Sequence, residues 1–525
     1  MKKNFNDVGL CIPREHYIVY PNEIITKYLE LIQQQKYLVI NNPPQSGTTT
    51  ILGLLENKLK NNDFFPIYIN FVGYDSEVFQ NKRYFLNEFC LSLISQLTKQ
   101  NLNDEIKLIR ERLPNLKHFG DLSRLISKLC KARKGLVLII DEIATSMDNQ
   151  LIFDFLGMLR EKYNQQRLKE DSSFHSVILS GMHLLKFYQK TVKSIRKPKY
   201  YCFESISINN EYVFCFNKFD IAEMLYDYAE ATTLINLQKI PEFAEKIHFF
   251  TAGHPYLVSK ICKIIDEEIF PKSDRKEWRI FDIYKAVKRL ISSEKKDTFF
   301  QLIYKSIEND VKLFNLVEKT ILGEKHILDT SNSVINDGIA IGLFKANNHF
   351  IRIHNPIYTQ KMIDFIVSPI DIDFSTEPFN FINNFITDEN ELDLSKILVS
   401  FQKIVQQEFS KKFSICYKYD RRLLFLTFLK NIMNGEGLII TEVQLSEEKR
   451  INLKIVFDRQ EYVVELKKWC GNEQHERSLN KFCDYLSQEG LEKGYLVIFD
   501  DISKEKEYEE KEILLNSKEI LWVRV

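Results

Sequence analysis

Short apolar runs alternate with amphipathic stretches over the first 180 residues of the chain. Runs that are apolar on both faces are typical of strands in a parallel sheet that helices cover on both sides. Four such runs predict strands at 36–41, 65–71, 135–140 and 176–180. The amphipathic stretches at 50–60, 84–99 and 119–130 predict helices between them.

Helical periodicity is almost continuous from residue 220 to 304, where we expect helices at 220–231, 241–250, 255–269 and 280–293. The stretch 311–366 ends in two alternating segments joined by an Asn-Asn turn. This predicts a hairpin against two or three helices, as in a winged helix. Beyond a polar stretch at 368–392, we expect a helix at 394–433, three strands (437–445, 451–457, 461–469), a helix, and two more strands (494–499, 520–525).

The composition describes an ordinary globular protein of several domains. Its 525 residues correspond to about three or four domains. Lys plus Arg (72) balance Asp plus Glu (72), which excludes a globally basic nucleic-acid coat or an acidic tail. The nine cysteines form no CxxC pair, and no apolar run approaches the roughly 18 residues of a membrane span. We expect a cytoplasmic protein that does not enter a membrane.

The segment 41–50, Asn-Asn-Pro-Pro-Gln-Ser-Gly-Thr-Thr-Thr, lies between a predicted strand and a predicted helix. Backbone N–H groups of such a loop, together with the helix N-terminus, bind phosphate. Against GxxxxGK[ST], the first Gly is replaced by Asn42, Thr48 replaces the Lys, and Thr49 supplies the magnesium-binding hydroxyl. The candidate nucleotide-binding residues of the loop are Asn42, Gln45, Ser46, Gly47, Thr48, Thr49 and Thr50. Loss of the Lys removes a charge-assisted bond worth roughly 1.5–3 kcal/mol.

An acidic pair, Asp141-Glu142, ends the predicted strand 135–140 in a Walker B arrangement. Asp141 would hold magnesium together with Thr49, and Glu142 would orient the attacking water. Ser180, at the end of the strand 176–180, is a candidate to contact the γ-phosphate. The expected ligands are ATP and Mg²⁺. The alternative is a structural strand–turn–helix junction with an acidic pair that caps a strand.

These motifs resemble those of the AAA-like or STAND-like P-loop ATPases of prokaryotes, whose loop reads close to GPRQSGKTT. The resemblance covers about residues 5–365. It includes Pro13, His16–Val19, the Gly253-His254-Pro255-Tyr256 turn and Asn355-Pro356-Ile357-Tyr358. In that family the Gly-His-Pro turn lies near the nucleotide and links its state to the helical module, which implies this role for His254. A packed His beside a helix start is the alternative.

A second candidate site lies in the segment 461–467, where alternation places Glu465 and Lys467 on one face of a strand. A metal-dependent phosphodiesterase needs this pairing, because the carboxylate holds the ion and the ammonium positions water or stabilises charge. An exposed strand face with an ordinary ion pair is the alternative.

The block from about 423 to 525 resembles the PD-(D/E)XK nuclease-like domain that is often fused behind such ATPases. Asn452 stands where that family has the central metal-binding Asp, and Lys481 stands where it has a helix Gln. Because an amide cannot supply the negative charge that holds a hard divalent cation, only Glu465 remains as an acid. Asp458 or Glu442 could replace the missing acid.

Two basic stretches are candidates for nucleic-acid contact, although a solvated surface is the alternative for each. The first mixes cations with aromatic rings: Lys186, Phe187, Tyr188, Lys190, Lys193, Arg196, Lys197, Lys199, Tyr200 and Tyr201. The second approaches the nuclease-like block: Lys411, Lys412, Lys418, Arg421, Arg422 and Lys430.

We therefore predict an α/β protein with a P-loop parallel sheet covered by helices on both faces, then a helical module and a winged helix, and finally an α/β PD-(D/E)XK-like domain. The predicted boundaries are 1–215, 216–305, 306–367, a linker at 368–392, and 393–525. The expected function is binding of a nucleotide, a nucleic acid, a protein partner or a second copy, with both catalytic sites degenerate. An active ATP-dependent nuclease of defence or mobile-element type and a purely structural interaction protein are the alternatives.

Overall fold

The computed structural model describes residues 3–143, 150–181, 204–205, 215–292, 298–329, 331–347, 349–368, 385–387, 389, 391–409, 419–433, 437–444, 450–457, 460–469, 471–500 and 508–525. The chain divides into two compact units. The first comprises Met1–Ala231, Gly253–Lys260 and Asn336–Gly342. The second comprises Thr232–Ala252, Ile261–Ile335 and Leu343–Val525.

A five-stranded sheet forms the centre of the first unit, with strand order β2-β3-β4-β1-β5. Its strands are Leu38–Ile40 (β1), Phe65–Asn70 (β2), Leu136–Asp141 (β3), Ser176–Ser180 (β4) and Glu204–Ser205 (β5). The described pairings are all parallel. Because every residue of β3 is buried, both faces of the sheet are covered, as expected of a parallel sheet. The four predicted strands are confirmed, whereas β5 is too short to leave a periodic signal.

The helices that accompany this sheet include the three that the amphipathic pattern predicts. They are Asn22–Gln33 (α1), Thr48–Lys60 (α2), Lys82–Thr98 (α3), Asn103–Arg112 (α4), Phe119–Ala132 (α5), Gln150–Arg167 (α6) and Lys218–Thr232 (α7). Apolar side chains of α3 to α6 pack with Leu136, Leu138 and Ile140 of β3 in one continuous core. The sequence pattern did not reveal α1, α4 or α6.

The helical stretch beyond residue 217 is confirmed. After α7 come Ile240–Thr251 (α8), Pro255–Ile264 (α9), a π-helical turn at Ile265–Ile269, and Ile280–Ser292 (α10). Then follow Thr298–Glu308 (α11), Val311–Ile321 (α12), Ser333–Ala340 (α13), the strands Phe344–Asn347 (β6) and Phe350–Ile353 (β7), and Pro356–Val367 (α14). β6 and β7 pair antiparallel, so the predicted hairpin is confirmed.

The C-terminal part of the second unit contains a six-stranded mixed sheet with the order β12-β13-β11-β10-β9-β8. Its strands are Leu438–Gln444 (β8), Arg450–Phe457 (β9), Gln460–Lys468 (β10), Lys493–Phe499 (β11), Glu510–Leu515 (β12) and Lys518–Arg524 (β13). The β10–β11 and β11–β13 pairs are parallel, and the other pairs are antiparallel. The edge strand β12 was not predicted, since four of its six residues are exposed and its first three are charged.

The single helix predicted at 394–433 is wrong, because the structure has two helices there, Leu394–Phe409 (α15) and Arg421–Met433 (α16). Asp420 precedes the second helix, and its Oδ1 accepts a hydrogen bond from Arg422 N at 2.9 Å. A carboxylate in this position caps a helix N-terminus, which is why a new helix starts here. A final helix, Asn472–Gln488 (α17), packs Phe482 and Leu486 against the sheet.

Among the helices that the structure describes, none is long and apolar enough to cross a bilayer.

Candidate functional site

The loop between β1 and α2 has the backbone geometry of a phosphate-binding turn. Gln45 (φ 60°) and Gly47 (φ 79°) adopt left-handed conformations, and α2 starts directly afterwards at Thr48. N–H groups at a helix start lack intrahelical acceptors and carry partial positive charge. The loop therefore leads into a site where backbone N–H groups can bind an anion.

The Thr48 hydroxyl is bonded to side chains of its own loop. Asn42 Nδ2 donates to Thr48 Oγ1 at 3.1 Å, and the Ser46 and Thr48 hydroxyl oxygens lie 3.1 Å apart. Asn42 and Ser46 are both buried. Three predicted site residues thus fix the loop conformation, and a neutral hydroxyl occupies the position where the GxxxxGK[ST] pattern has a cation.

Asp141, at the carboxyl end of β3, accepts hydrogen bonds from two hydroxyl groups. Thr49 Oγ1 donates to Asp141 Oδ2 at 3.3 Å, and Tyr68 OH donates to the same oxygen at 2.6 Å. The backbone N–H of Glu142 donates to Asp141 Oδ1 at 3.0 Å. The structure therefore brings together the predicted magnesium-binding pair, Thr49 and Asp141.

Tyr68 is a site residue that sequence reasoning missed. It lies in the apolar run 65–70, where a Tyr is an ordinary strand residue, and only the pairing of β2 with β3 brings it to Asp141. Burial and then the Asp141 charge raise the pKa of Tyr68 far above its usual value, so its hydroxyl stays a donor.

Glu142 has a left-handed backbone (φ 56°), which is uncommon for a residue other than Gly. Its side chain is half-buried, and burial followed by the Asp141 charge raises the pKa of its carboxyl group. Burial and a neighbouring carboxylate raise the pKa of a carboxyl group by themselves, so Glu142 keeps its predicted role as a prediction.

Ser180 lies at the carboxyl end of β4, opposite Ile40 of β1 in the parallel register. Gly181 N donates to Ile40 O at 3.2 Å, which keeps the end of β4 beside the strand that leads into the loop. Ser180 is buried. Its predicted contact with a γ-phosphate stays a prediction.

A cleft of the first unit opens next to the loop. Its lining includes Tyr17, Gln45, Gly47, Phe216 and Tyr256. Thr50 also lines it, and its Oγ1 accepts a hydrogen bond from Cys11 N at 3.1 Å, which ties the N-terminal segment to α2. Asp7 and Lys260 form an ion pair of 2.6 Å at this cleft. The cleft thus places aromatic and polar residues beside the phosphate-binding turn.

His254 lies in the turn between α8 and α9. Gly253 before it has φ 77°, and its carbonyl oxygen accepts from Phe216 N at 2.8 Å. The next two residues, Pro255 and Tyr256, line the cleft, whereas the His254 side chain is buried and burial lowers its pKa to about 4. The turn therefore adjoins the cleft, and its imidazole is neutral at pH 7.

The second predicted site lies in the C-terminal sheet, with Glu465 and Lys467 of β10 and Asn452 of β9. All three side chains are at most 2% exposed, so the alternative of an exposed strand face is wrong. Glu465 pairs with Asn452, and Asn452 pairs with Glu442 of β8, so the three backbone positions form one row. Ser478 Oγ donates to Glu465 Oε1 at 3.2 Å.

Asn452 Oδ1 is buried and has no hydrogen-bond donor within the part of the chain that the structure describes. Asp458 and the side chain of Glu442 lie outside the described residues. Within the described ranges, no group of three or more His, Cys, Asp and Glu residues could hold a metal ion.

The predicted basic approach to the C-terminal sheet needs correction for its described members. Arg421 and Arg422 are buried: Arg421 Nη1 donates to Val525 O at 2.9 Å, and Arg422 donates to Asp420 and to Leu322 O. Lys430 pairs with Asp364 at 3.1 Å. These cations hold the fold, and the first two are not available to a nucleic acid. The stretch 186–201 and Lys411, Lys412 and Lys418 lie outside the described residues.

Residues 14–270 match a family model described as an AAA-like domain. The match covers slightly less than half of the chain. The matched range includes the loop 41–50, Asp141-Glu142 and the Gly253-His254-Pro255 turn, and it supports the predicted resemblance to AAA-like proteins over this part of the chain.

Solved structures that resemble the chain are distant from it. A Walker-type ATPase of Pyrococcus abyssi is 12% identical with a TM-score of 0.44, over 68% of this chain and 99% of that one. The ORC2 protein of Aeropyrum pernix in its ADPNP-ADP complexes is 13% identical, with a TM-score of 0.38 and coverages of 66% and 93%. Cdc6p from Pyrobaculum aerophilum is 16% identical, with a TM-score of 0.33 and coverages of 67% and 95%. The comparison with curated proteins gave no match.

Proposed function

We propose that the first unit binds ATP together with Mg²⁺ at the loop 41–50 and in the cleft beside it. The observation that carries the proposal is the 3.3 Å hydrogen bond between Thr49 Oγ1 and Asp141 Oδ2. A hydroxyl at the start of the helix after a phosphate-binding loop and an acid at the end of a neighbouring strand are the two protein groups that hold Mg²⁺ in P-loop ATPases. The AAA-like match of residues 14–270 supports the same assignment.

We infer that ATP is bound rather than turned over quickly. Thr48 occupies the Lys position of the motif, and its hydroxyl is bonded within the loop. Without the ammonium group, the charge that develops on the β- and γ-phosphates during hydrolysis lacks one stabilising cation. Glu142 remains in place to orient a water molecule, so slow hydrolysis is compatible with the site.

The test is equilibrium binding of a fluorescent ATP analogue to the full-length protein, with Mg²⁺ and with EDTA. Thr49→Ala should weaken the Mg²⁺-dependent part of binding about tenfold, and Thr49→Ser, which keeps the hydroxyl, should preserve it. Absence of saturable binding at millimolar nucleotide overturns the proposal, as does equal binding by the Ala and Ser variants.

For the C-terminal block, we propose a nuclease-like fold that no longer cuts nucleic acid. The supporting observation is the pairing of Asn452 with Glu465 on neighbouring strands, which places a buried amide beside a buried carboxylate where the resemblance implies two acids. A hard divalent cation needs more negative charge than one carboxylate supplies, and Lys467 is buried in the same strand.

This second proposal is tested by incubating the protein with DNA and RNA in Mg²⁺ or Mn²⁺. We expect no cleavage by the native chain. Cleavage that disappears in a folded Lys467→Ala variant contradicts the proposal and favours the active nuclease. Failure of both ATP binding and nucleic-acid binding favours a structural interaction protein instead.

The same proposal includes the domain boundaries 1–215, 216–305, 306–367 and 393–525. It also includes the winged-helix class of the segment 306–367 and a role in the cytoplasm. The hairpin at 344–353 packed beside α12 and α14 supports the winged-helix assignment. Binding to a protein partner or to a second copy of the chain remains part of the proposed function.

A further inference from the structure

A pocket of about 630 Å³ lies in the second unit, between the π-helical turn at 265–269 and α10. Its volume falls within the range of about 300–1,000 Å³ that is usual for ligand sites. All of its lining residues come from the segment 268–292, so it belongs to one continuous part of the fold. It shares no lining residue with the cleft beside the loop 41–50, and its lining includes no residue of the row around Glu465.

Positive charge dominates this pocket, although the whole chain has a net charge of zero. The lining contains two acids, Glu268 and Asp282, against six cations: Lys272, Arg275, Arg279, Lys285, Lys288 and Arg289. The lining therefore carries a formal excess of four positive charges, from six minus two. An excess of this kind in a concave site attracts polyanions.

Both acids of the pocket lining form ion pairs with arginines of the same lining. Arg275 donates to both carboxylate oxygens of Asp282, at 3.0 and 2.8 Å, and Arg289 donates to Glu268 at 2.9 Å. Arg275 and Arg289 therefore neutralise both acids of the lining. The positive charges of the other four cations are not neutralised by any acid of the lining. Within the part of the chain that the structure describes, an incoming anion would meet these cations without displacing an ion pair.

The framework of the pocket is fixed by buried groups. Asp282 is 1% exposed and also accepts a hydrogen bond from Arg279 N at 2.8 Å. One carboxylate thus holds the start of α10 and the preceding loop together, which sets where the Arg279 side chain begins. The π-helical turn across the pocket is of a kind that often lies at functional sites.

An aromatic ring completes the pocket. Phe281 is half-buried, and Lys285 Nζ lies 5.4 Å from its ring centroid. Proteins bind single-stranded nucleic acids with cations that contact successive phosphates and with aromatic rings on which the bases stack. A recess formed by one loop and one helix admits a flexible strand more readily than a rigid duplex.

We propose that the pocket formed by residues 268–292 binds the phosphate backbone of a single-stranded nucleic acid, with Lys272, Arg279 and Lys288 contacting phosphates and Phe281 stacking on a base. This site is independent of ATP binding in the first unit. DNA and RNA share this chemistry, and separate arms of the experiment distinguish them.

The experiment measures fluorescence anisotropy of labelled single-stranded DNA and single-stranded RNA with the full-length protein, beside a duplex and inorganic polyphosphate as competitors. The variant Lys272→Glu/Arg279→Glu/Lys288→Glu should weaken binding at least tenfold. Each lost phosphate contact should reduce the slope of log K against log salt by about 0.7, or about 2 for all three.

A matched control carries the same charge reversal on exposed lysines of α11 and α12, Lys305→Glu/Lys312→Glu/Lys319→Glu, and it should bind as the native chain does. Phe281→Leu should weaken binding of single strands several-fold and leave polyphosphate competition unchanged. Equal losses in the pocket and control variants overturn the proposal, as does a preference for the duplex. Circular dichroism of each variant verifies that it is folded.

Discussion

Tyr68 OH donates a hydrogen bond of 2.6 Å to Asp141 Oδ2, the oxygen that also accepts from Thr49 Oγ1. The carboxylate expected to hold Mg²⁺ is therefore engaged by two hydroxyl groups. Any cation that approaches this oxygen competes with the Tyr68 proton, because both seek the same lone pairs. Tyr68 is thus placed to control how readily Mg²⁺ binds.

Tyr68→Phe should lower the Mg²⁺ concentration needed for half-maximal nucleotide binding by several-fold, since it removes the competing donor. The measurement is a Mg²⁺ titration at fixed labelled ATP. Tyr74→Phe is the matched control, because it removes a hydroxyl that bonds Ser92 Oγ at 2.8 Å. A higher Mg²⁺ requirement in Tyr68→Phe would show that the hydroxyl orients Asp141 for the cation instead.

Thr48→Lys should strengthen ATP binding by at least tenfold. A restored ammonium adds a charge-assisted hydrogen bond to the phosphates, worth about 1.5–3 kcal/mol, and about 1.4 kcal/mol corresponds to a factor of ten. Thr48→Met, which has length without charge, is the control and should not gain affinity. No gain in Thr48→Lys would mean that the loop held by Asn42 and Ser46 does not bring this position to the phosphates.

Gly253→Ala should be much more destabilising than Gly9→Ala. Both glycines have positive φ, at 77° and 65°, so alanine meets backbone strain of about 1–2 kcal/mol at either position. A Cβ on Gly253 would lie 1.8 Å from Phe216 O, whereas a Cβ on Gly9 has no atom within 4 Å. Urea unfolding of the two variants isolates the cost of this close backbone approach. Equal losses of stability in the two variants would show that the close approach to Phe216 O adds no cost.

His254 should make the protein less stable in mild acid. Burial lowers its pKa to about 4, whereas the unfolded chain has a value near 6.5. Between pH 6.5 and 4 the unfolded chain takes up a proton that the native protein does not. The free energy of unfolding therefore falls as the pH falls, by up to about 1.4 kcal/mol per pH unit.

The measurement for His254 compares urea unfolding of the native chain and of His254→Gln at several pH values from 7.5 to 4.5. The difference between the two slopes isolates this imidazole, because the other titrating groups are common to both. Parallel slopes would show that His254 takes up its proton in the native state.

The strands of the first sheet could be predicted because each is a run of apolar residues bounded by polar ones, and burial on both faces requires such a run. The same holds for Gly47, Thr49 and Asp141, whose types and spacing follow from what a phosphate and a magnesium ion need. Helices α1, α4 and α6 were missed, and the break at Asp420 was missed because apolar residues continue on both sides of it.

The amino-acid sequence by itself determined the alternation of strands and helices, the loop with Thr48 in place of Lys, and the amide at position 452. These are local properties, set by each residue type and its near neighbours. Only the tertiary structure decided that Tyr68 bonds Asp141 and that Arg421 and Arg422 are buried. Such contacts depend on strand order and on the packing of distant segments, which hydrophobic periodicity does not encode.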